Sequence, residues 1–490
     1  MIGKSIAHTA SLDGLIGDAA RATKARGRSV LVSSTDRLPA GEPIDLFERG
    51  RRTGDVCFYW ERRDQEIALA GIGAAHALTL EGEDRFERAD FAWRELLDGA
   101  ILDDGSMGLP ACGPALVGGF SFDPLKPQTS LWSDFPAGFL VLPRYLLTVV
   151  GDDRWLTVNR VLNPESDPDA ETKQAREDLL QVDAALQKSD QCFSDRDDFC
   201  ALSGRRVPAE GATSLPEDLR PARSWKALVG EATEVIRQGQ VEKIVLARAV
   251  RVRDGDRLLP ANALRRLRSE AATGCTLFAL ARGESCFLGA TPESLVRLHD
   301  RTVEVSCLAG TIGRGSTEEE DAQLGARLIA SSKDRAEHAV VVRTLQRQLA
   351  AFCDELEVPA SPALMKLRNV QHLYTPLSGR LSSGDGVLAL VERLHPTPAI
   401  AGFPREAAMA FIREREELDR GWYAGPIGWV NRHGEGEFAV AIRSALLQGH
   451  LATLFAGCGI MADSDPESEY RESCLKLQAM LSILAGSPSA

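Results

Sequence analysis

The sequence predicts an α+β layered architecture, on three observations. Strand-like and helix-like runs come in separate groups, without the regular alternation of a βαβ winding. No segment repeats at a short fixed period, which argues against a solenoid. Over 490 residues, 44% hydrophobic and 26% charged is the balance of a globular chain, and the length allows two to four domains.

The elements follow in order. Ser29-Val30-Leu31-Val32 reads as a strand. Ala115 to Pro124 reads as a strand broken at Gly118-Gly119 and then a turn, and Gly138 to Val150 as a long apolar strand. Between about 163 and 224 the composition shifts. Asn163-Pro164-Glu165-Ser166-Asp167-Pro168-Asp169 opens this stretch, a charged helix follows, and Pro208 to Pro221 is rich in polar and turn residues. The chain thus divides into residues 1–160, a polar connection over 161–223, and 224–490. The connection is either a domain boundary or an excursion within one unit.

From Trp225 the pattern tightens. A helix through Arg237 stops at Gly239, a glycine cap, and Lys243 to Val252 forms a strand. Thr276 to Leu280 and Cys286 to Ala290 are further strands, the second leading into Thr291-Pro292-Glu293. Helices are expected over 332–356, 385–394 and 405–419, and strands near 425–431, 437–447 and 451–456. Phe455 to Ile460 reads as a glycine turn. In the final helix, Asp465 suits the N-cap and Pro466 the first helical position.

Charge and cysteine usage exclude several classes. The net charge of −13 is spread along the chain, which argues against a nucleic-acid or acidic-membrane partner. No apolar run reaches membrane-span length, and Met1-Ile2-Gly3-Lys4-Ser5 lacks the apolar core of a signal peptide. The ten cysteines are scattered singly without a C-x-x-C pair, the usage of reduced thiols in a cytoplasmic protein.

Several residue sets can carry chemistry, each with a plainer alternative. Glu469, Glu472 and Lys476 fall at helical spacing, so they are either a surface ladder or two carboxylates and an ammonium facing a site. Lys243 marks either the wet end of its strand or a base in a pocket beside Val245 and Ala247. Glu293 is either a solvated loop residue or an acid held protonated by apolar surroundings. The segment Ser332-Lys333-Asp334-Arg335-Ala336-Glu337 has an N-cap serine and first-turn acids, as any helix start does. Glu337 nevertheless precedes an apolar run and can face inward, where with Glu472 and Glu469 it would suit magnesium. His338 reads as a packed or capping histidine. Leu308-Ala309-Gly310-Thr311 and Ala456-Gly457-Cys458-Gly459 are glycine turns able to present amides to a carboxylate, and Arg443 offers a bidentate clamp for one.

Together these segments resemble the chorismate-utilising enzymes, and most closely the isochorismate synthases. The resemblance runs through Lys243-Ile244-Val245-Leu246-Ala247-Arg248, Gly289-Ala290-Thr291-Pro292-Glu293, Leu308-Ala309-Gly310-Thr311 and Lys333-Asp334-Arg335-Ala336-Glu337-His338. It continues with Val370-Gln371-His372-Leu373, His395-Pro396-Thr397-Pro398-Ala399, Gly402-Phe403-Pro404, Ala441-Ile442-Arg443, Gly457-Cys458-Gly459 and the final helix. These occur in family order over roughly 224 to 485, and Ala115 to Pro124 extends the likeness into the N-terminal half.

The resemblance implies one α/β body of two packed halves, with large, mostly antiparallel sheets flanked by helices and the site between them. It makes Lys243 the base that activates water for attack at C2 of chorismate, and Glu293 the acid that protonates the departing C4 hydroxyl. It makes Glu337 and Glu472, with Glu469 beside them, the holders of Mg²⁺. Gly310, Thr311, Arg443, Gly457 and Lys476 would bind the two substrate carboxylates, with His372, Ala399, Ile400 and Tyr423 completing the substrate site. A dianionic substrate needs a local cationic pocket, and a poor hydroxide leaving group needs an acid.

Within the family, Lys243 and the lack of a recognisable glutaminase segment point away from ammonia-using members and from a glutaminase partner. Salicylate synthases usually carry threonine where this chain has Ala399, so Ala399 favours stopping at isochorismate. Ile400 departs mildly from the leucine common in isochorismate synthases. The expectation is a monomeric isochorismate synthase of the menaquinone or siderophore type. A salicylate synthase, or a chorismate-binding protein without activity, is the alternative.

Overall fold

The computed structural model describes residues 5–104, 109–125, 129–192, 216–272 and 274–485. Its strands form two large branches that share Gly138–Val150. From one edge of that strand, a branch runs through Ile67–Leu80, Cys57–Arg62, Thr276–Arg282, Ser285–Thr291, Ser444–Gln448 and Leu451–Ile460 to Lys243–Arg253. From the other edge, a second runs through Ala115–Phe120, Pro426–Asn431, Gly436–Val440, Ser294–His299 and Thr302–Gly313 to Val370–Leu381. Among the described residues every pairing is antiparallel except Val30–Leu38 with Ile101–Asp104. The expected mostly antiparallel α+β architecture is therefore present.

Strand Gly138–Val150 serves both branches from its two edges, and one of those edges changes partner along its length. Val141 pairs with Val117, whereas Tyr145 onward pairs with Asp153–Leu162. Pro143 lies at the changeover, where a residue without an N–H interrupts the ladder least. On the opposite edge the register shifts between Ala74 and His76, next to Gly73 at φ 67°, which bends the pair.

Strand alternation sorts the side chains into two cores. Phe58, Trp60, Phe278 and Phe287 of the first branch meet Phe120, Val296 and Phe438 of the second, so the two branches face each other across one core. Their neighbours Cys57, Tyr59, Leu277 and Leu288 point the other way and pack under helices through Leu264, Leu267, Leu477 and Met480. Each large side chain so buried contributes about 1.5–3 kcal/mol. Both branches take strands from before and after the polar connection, so neither sequence half closes a core alone.

The connection contains the charged helix Pro168–Cys192 and rejoins the first branch at Glu217–Asp218. Much of the polar stretch after Pro208 lies outside the described residues. None of the described helices is long and apolar enough to cross a membrane.

Several local expectations need correction. The helix expected over 332–356 ends at Ala350, and Cys353–Glu357 is an edge strand. Phe352 and Leu356 both pack into the core at a spacing of four, which imitates a helix. The N-cap is Ser331, not Ser332, and accepts a bond from the Asp334 amide. Glu318–Ala330 is an additional helix, capped by Thr317. The helix over 405–419 stops at Arg415. The strand expected over 437–447 breaks into Gly436–Val440 and Ser444–Gln448. Neither glycine turn is a turn. Gly457 and Gly459 are paired strand residues, and Gly310 at φ 78° forms a bulge opposite Leu373 and His372. The N-cap at Asp465 and the cap region at Gly239 (φ 77°) are as expected.

Candidate active site

The end of the first branch, the bulged strand of the second and two helices enclose a cavity of about 740 Å³, counting its open mouth. Every residue expected in the site lines it except Lys243 and Glu469.

Lys243 is fully buried at the first position of its strand, with Nζ 2.9 Å from Glu337 Oε1. The wet-end alternative is therefore excluded. Glu337 is the only charged partner of this ammonium among the described residues. Glu337 lines the cavity and Lys243 sits behind it. Burial alone would raise the Glu337 pKa, but the charge and hydrogen bonding of Lys243, with help from Lys476 and Lys333, hold it below the ordinary value.

Glu293 follows Pro292 between Ser285–Thr291 and Ser294–His299, where its carbonyl accepts from Val440 N at 3.0 Å. Its side chain is buried, and desolvation raises its pKa to about 7 against the opposing pull of Lys243, Arg443 and Lys476.

The final helix, Pro466–Ala485, directs Glu472 and Lys476 into the cavity on one face. Lys476 Nζ lies 2.6 Å from Glu472 and donates to the Gly457 carbonyl at 2.9 Å. Burial favours neutral Lys476, yet the charge and hydrogen bonding of Glu472 raise its pKa above the ordinary value. Glu469, one turn earlier, is spent differently. Its Oε1 accepts from Lys333 at 2.8 Å and from Ser464 at 2.7 Å, and it does not reach the cavity.

Arg443 occupies the strand break at φ 51°, a left-handed conformation that turns its side chain into the cavity. Its Nη2 lies 3.2 Å from His372 Nε2. A guanidinium only donates, so Nε2 accepts and the ring proton resides on Nδ1, which faces Thr311 Oγ1 at 3.1 Å and the Gly310 carbonyl at 3.3 Å. Burial, then the charges of Arg443 and Lys476, hold the His372 pKa well below its usual value, consistent with this neutral tautomer.

One wall is an aromatic stack. Trp132 stacks on Phe455 at 5.5 Å, and Phe455 on Tyr423 at 5.1 Å. Burial pushes the Tyr423 hydroxyl up to about 12. Ala399 and Ile400 supply the facing apolar surface. His338, as expected, is packed, with Nε2 2.8 Å from Thr375 Oγ1.

Carboxylates suit a hard divalent cation. Cys458, Glu469 and Glu472 bring ligand atoms within 4.8 Å of one another. The thiol does not belong in that set. Burial holds it protonated, it donates to the Glu469 carbonyl, and sulfur is a poor partner for magnesium. That leaves the carboxylates Glu469 and Glu472 of this group, and Glu337 lines the same cavity as Glu472.

Sequence reasoning missed Arg420, which lines the cavity and forms a fully buried pair with Glu416. Its i,i+4 spacing is that of an ordinary surface ladder, so the sequence carries no signal for its burial.

The family model described as "Chorismate binding enzyme" matches residues 18–485. The "Salicylate biosynthesis isochorismate synthase" of Pseudomonas aeruginosa is 38% identical over 462 residues, covering 94% of this chain and 92% of that one. The isochorismate synthase MenF of Bacillus subtilis is 36% identical over 464 residues, covering 94% of each chain. Among solved structures, the menaquinone-specific isochorismate synthase MenF of Escherichia coli superposes with a TM-score of 0.73 at 26% identity, over 96% of this chain and 100% of that one. The two-branched fold and the likeness over nearly the whole length agree: the chain belongs to the chorismate-binding enzymes, among the isochorismate synthases.

Proposed function

We propose that the protein converts chorismate to isochorismate, adding water at C2 as the C4 hydroxyl departs, and stops there. One observation carries this reading. A single cavity gathers the cations Arg443 and Lys476, the carboxylates Glu337 and Glu472, and a buried carboxyl, Glu293, whose pKa desolvation raises to about 7. Arg443 and Lys476 suit the two carboxylates of the substrate, with the Gly310–Thr311 bulge beside them. Glu293 gives its proton to the C4 oxygen, which leaves as water. Lys243 must first shed a proton, and as the free amine it takes one from the water that attacks C2; return of that proton to Glu293 completes an isomerisation with no net loss of atoms. Glu337 and Glu472 would hold Mg²⁺, which would supply a charge for the ring carboxylate and neutralise both glutamates.

Ala399 supports release of isochorismate without pyruvate elimination, because its methyl group adds no polar atom to that wall. A monomer in the cytoplasm, acting without a glutaminase subunit, fits this reading. Incubation with chorismate and Mg²⁺ followed by product separation tests it. Isochorismate without salicylate is expected. Abundant salicylate with pyruvate, or unconverted chorismate, would overturn the proposal.

A further inference from the structure

We infer that the buried Glu416–Arg420 pair is a positioning clamp, fixing the Ala399–Ile400 wall of the cavity against the strand that begins at Lys243. This inference rests on the isochorismate synthase reading and adds to it two residues that touch none of the expected catalytic groups.

The bonding is specific and uses four of the five guanidinium donors. Arg420 grips the Glu416 carboxylate through Nε at 2.7 Å and Nη2 at 2.6 Å. Its remaining reach goes to two carbonyls, Ile400 O from Nη1 at 2.9 Å and Val245 O from Nη2 at 2.8 Å. Glu416 Oε2 also accepts from the Ala247 amide at 2.8 Å. The guanidinium lies over the Phe122 ring, 4.3 Å from its centroid. One planar fork thus joins both cavity walls, and only arginine offers donors in that arrangement.

The backbone closes the ring. Val245 N donates to Ala401 O at 2.9 Å and Glu242 N to Phe403 O at 2.8 Å. Val245 is therefore bound on its N–H side directly to the segment after Ile400, and on its carbonyl side through Arg420 to Ile400 itself. Lys243 stands between these ties, and Gly402 leaves room for its carbonyl, which a Cβ would approach to 2.2 Å. Displacing either wall moves the lysine relative to the apolar surface that the substrate would touch. A buried ion pair contributes little net stability over a well-packed apolar pair, which favours an organising role for one so fully bonded.

Arg420→Lys tests the clamp. It keeps the charge beside Glu416 but cannot span the carboxylate and both carbonyls. The expected result is a kcat lowered about tenfold or more, with KM for chorismate within about threefold, because Arg443 and Lys476 are untouched. Near-UV circular dichroism and Tm establish that the variant is folded. If Arg420→Lys does not fold, Glu416→Gln, which retains an acceptor for the Ala247 amide, is read the same way. A folded variant with wild-type kcat overturns the clamp, and so does failure of both variants to fold, which would make the pair merely stabilising. Wild-type protein that leaves chorismate unconverted overturns the functional reading instead, and the clamp with it.

Discussion

Lys243 Nζ stands 2.9 Å from Glu337 Oε1 across a gap that Gly459 keeps open. A Cβ on residue 459 would lie 2.1 Å from Glu337 Oε1 and 2.8 Å from Lys243 Cε. Both atoms end flexible side chains, so the fold can accommodate the methyl group, but only by parting the pair. Gly459→Ala is expected to keep the fold at a cost of about 1–3 kcal/mol. Turnover of chorismate should fall roughly a hundredfold, the usual consequence of misplacing a reacting group by an ångström. Wild-type turnover in this variant would show that the pair's geometry does not matter.

Removing Lys243 separates its structural and chemical roles. Lys243→Ala leaves Glu337 charged and largely buried, a loss of about 3–5 kcal/mol that Tm will register. Adding Glu337→Gln removes the stranded charge and should recover part of that loss. Turnover should remain abolished in both variants, while chorismate binding to the single variant stays measurable by calorimetry through Arg443 and Lys476. A Lys243→Ala protein with undiminished turnover would reject the lysine as the base.

Much of this site was legible because its residues lie within short, ordered segments such as Thr291-Pro292-Glu293 and the Glu469–Lys476 helix. Local patterns failed where long-range contacts decide. Glycine signals turns, and so Gly457 and Gly459 read as one. Their use is close approach within a paired strand, beside Tyr423 and Glu337 on distant elements. Phe352 and Leu356 carried helical spacing into a strand because both meet the same core. The strand pattern left Lys243 open between a wet end and a pocket, because its partner lies on the distant helix Ser332–Ala350. Pairing of Cys57–Arg62 with Thr276–Arg282 likewise has no local signature.

Glu293 sets an expectation for pH dependence. Burial raises its pKa to about 7, so the carboxyl is mostly protonated below that pH and mostly ionised above it. An acid acts in its protonated form, hence kcat/KM should fall as pH rises through about 7. A pH–rate profile checks this, with Glu293→Asp as the control. The aspartate can still donate, so its alkaline limb should persist, displaced, at a lower rate. Glu293→Gln has no proton to give and should be inactive across the range. A wild-type profile flat from slightly acid to alkaline pH would remove Glu293 from the acid role.

The carboxylates differ in what they have left to offer a metal, and three substitutions should rank them. Glu472 lines the cavity and among the described residues is tied to Lys476, whereas Glu469 already holds Lys333 and Ser464. Outer groups around a metal commonly cost 10–100-fold in affinity when changed, so Glu472→Gln should raise the Mg²⁺ concentration needed for half-maximal rate by at least roughly tenfold. Glu469→Gln should shift that titration less, because its effect is transmitted through Lys333 and the neighbouring carboxylate. Cys458→Ser should leave it unmoved, since a buried protonated thiol is no ligand for a hard cation. The rise in Tm with added Mg²⁺ gives the same ranking without substrate, because stabilisation follows the logarithm of occupancy. Equal titrations for wild type and Glu472→Gln by both readouts would place the metal elsewhere. A large shift with Cys458→Ser would return the thiol to the ligand set and argue for a softer ion than magnesium.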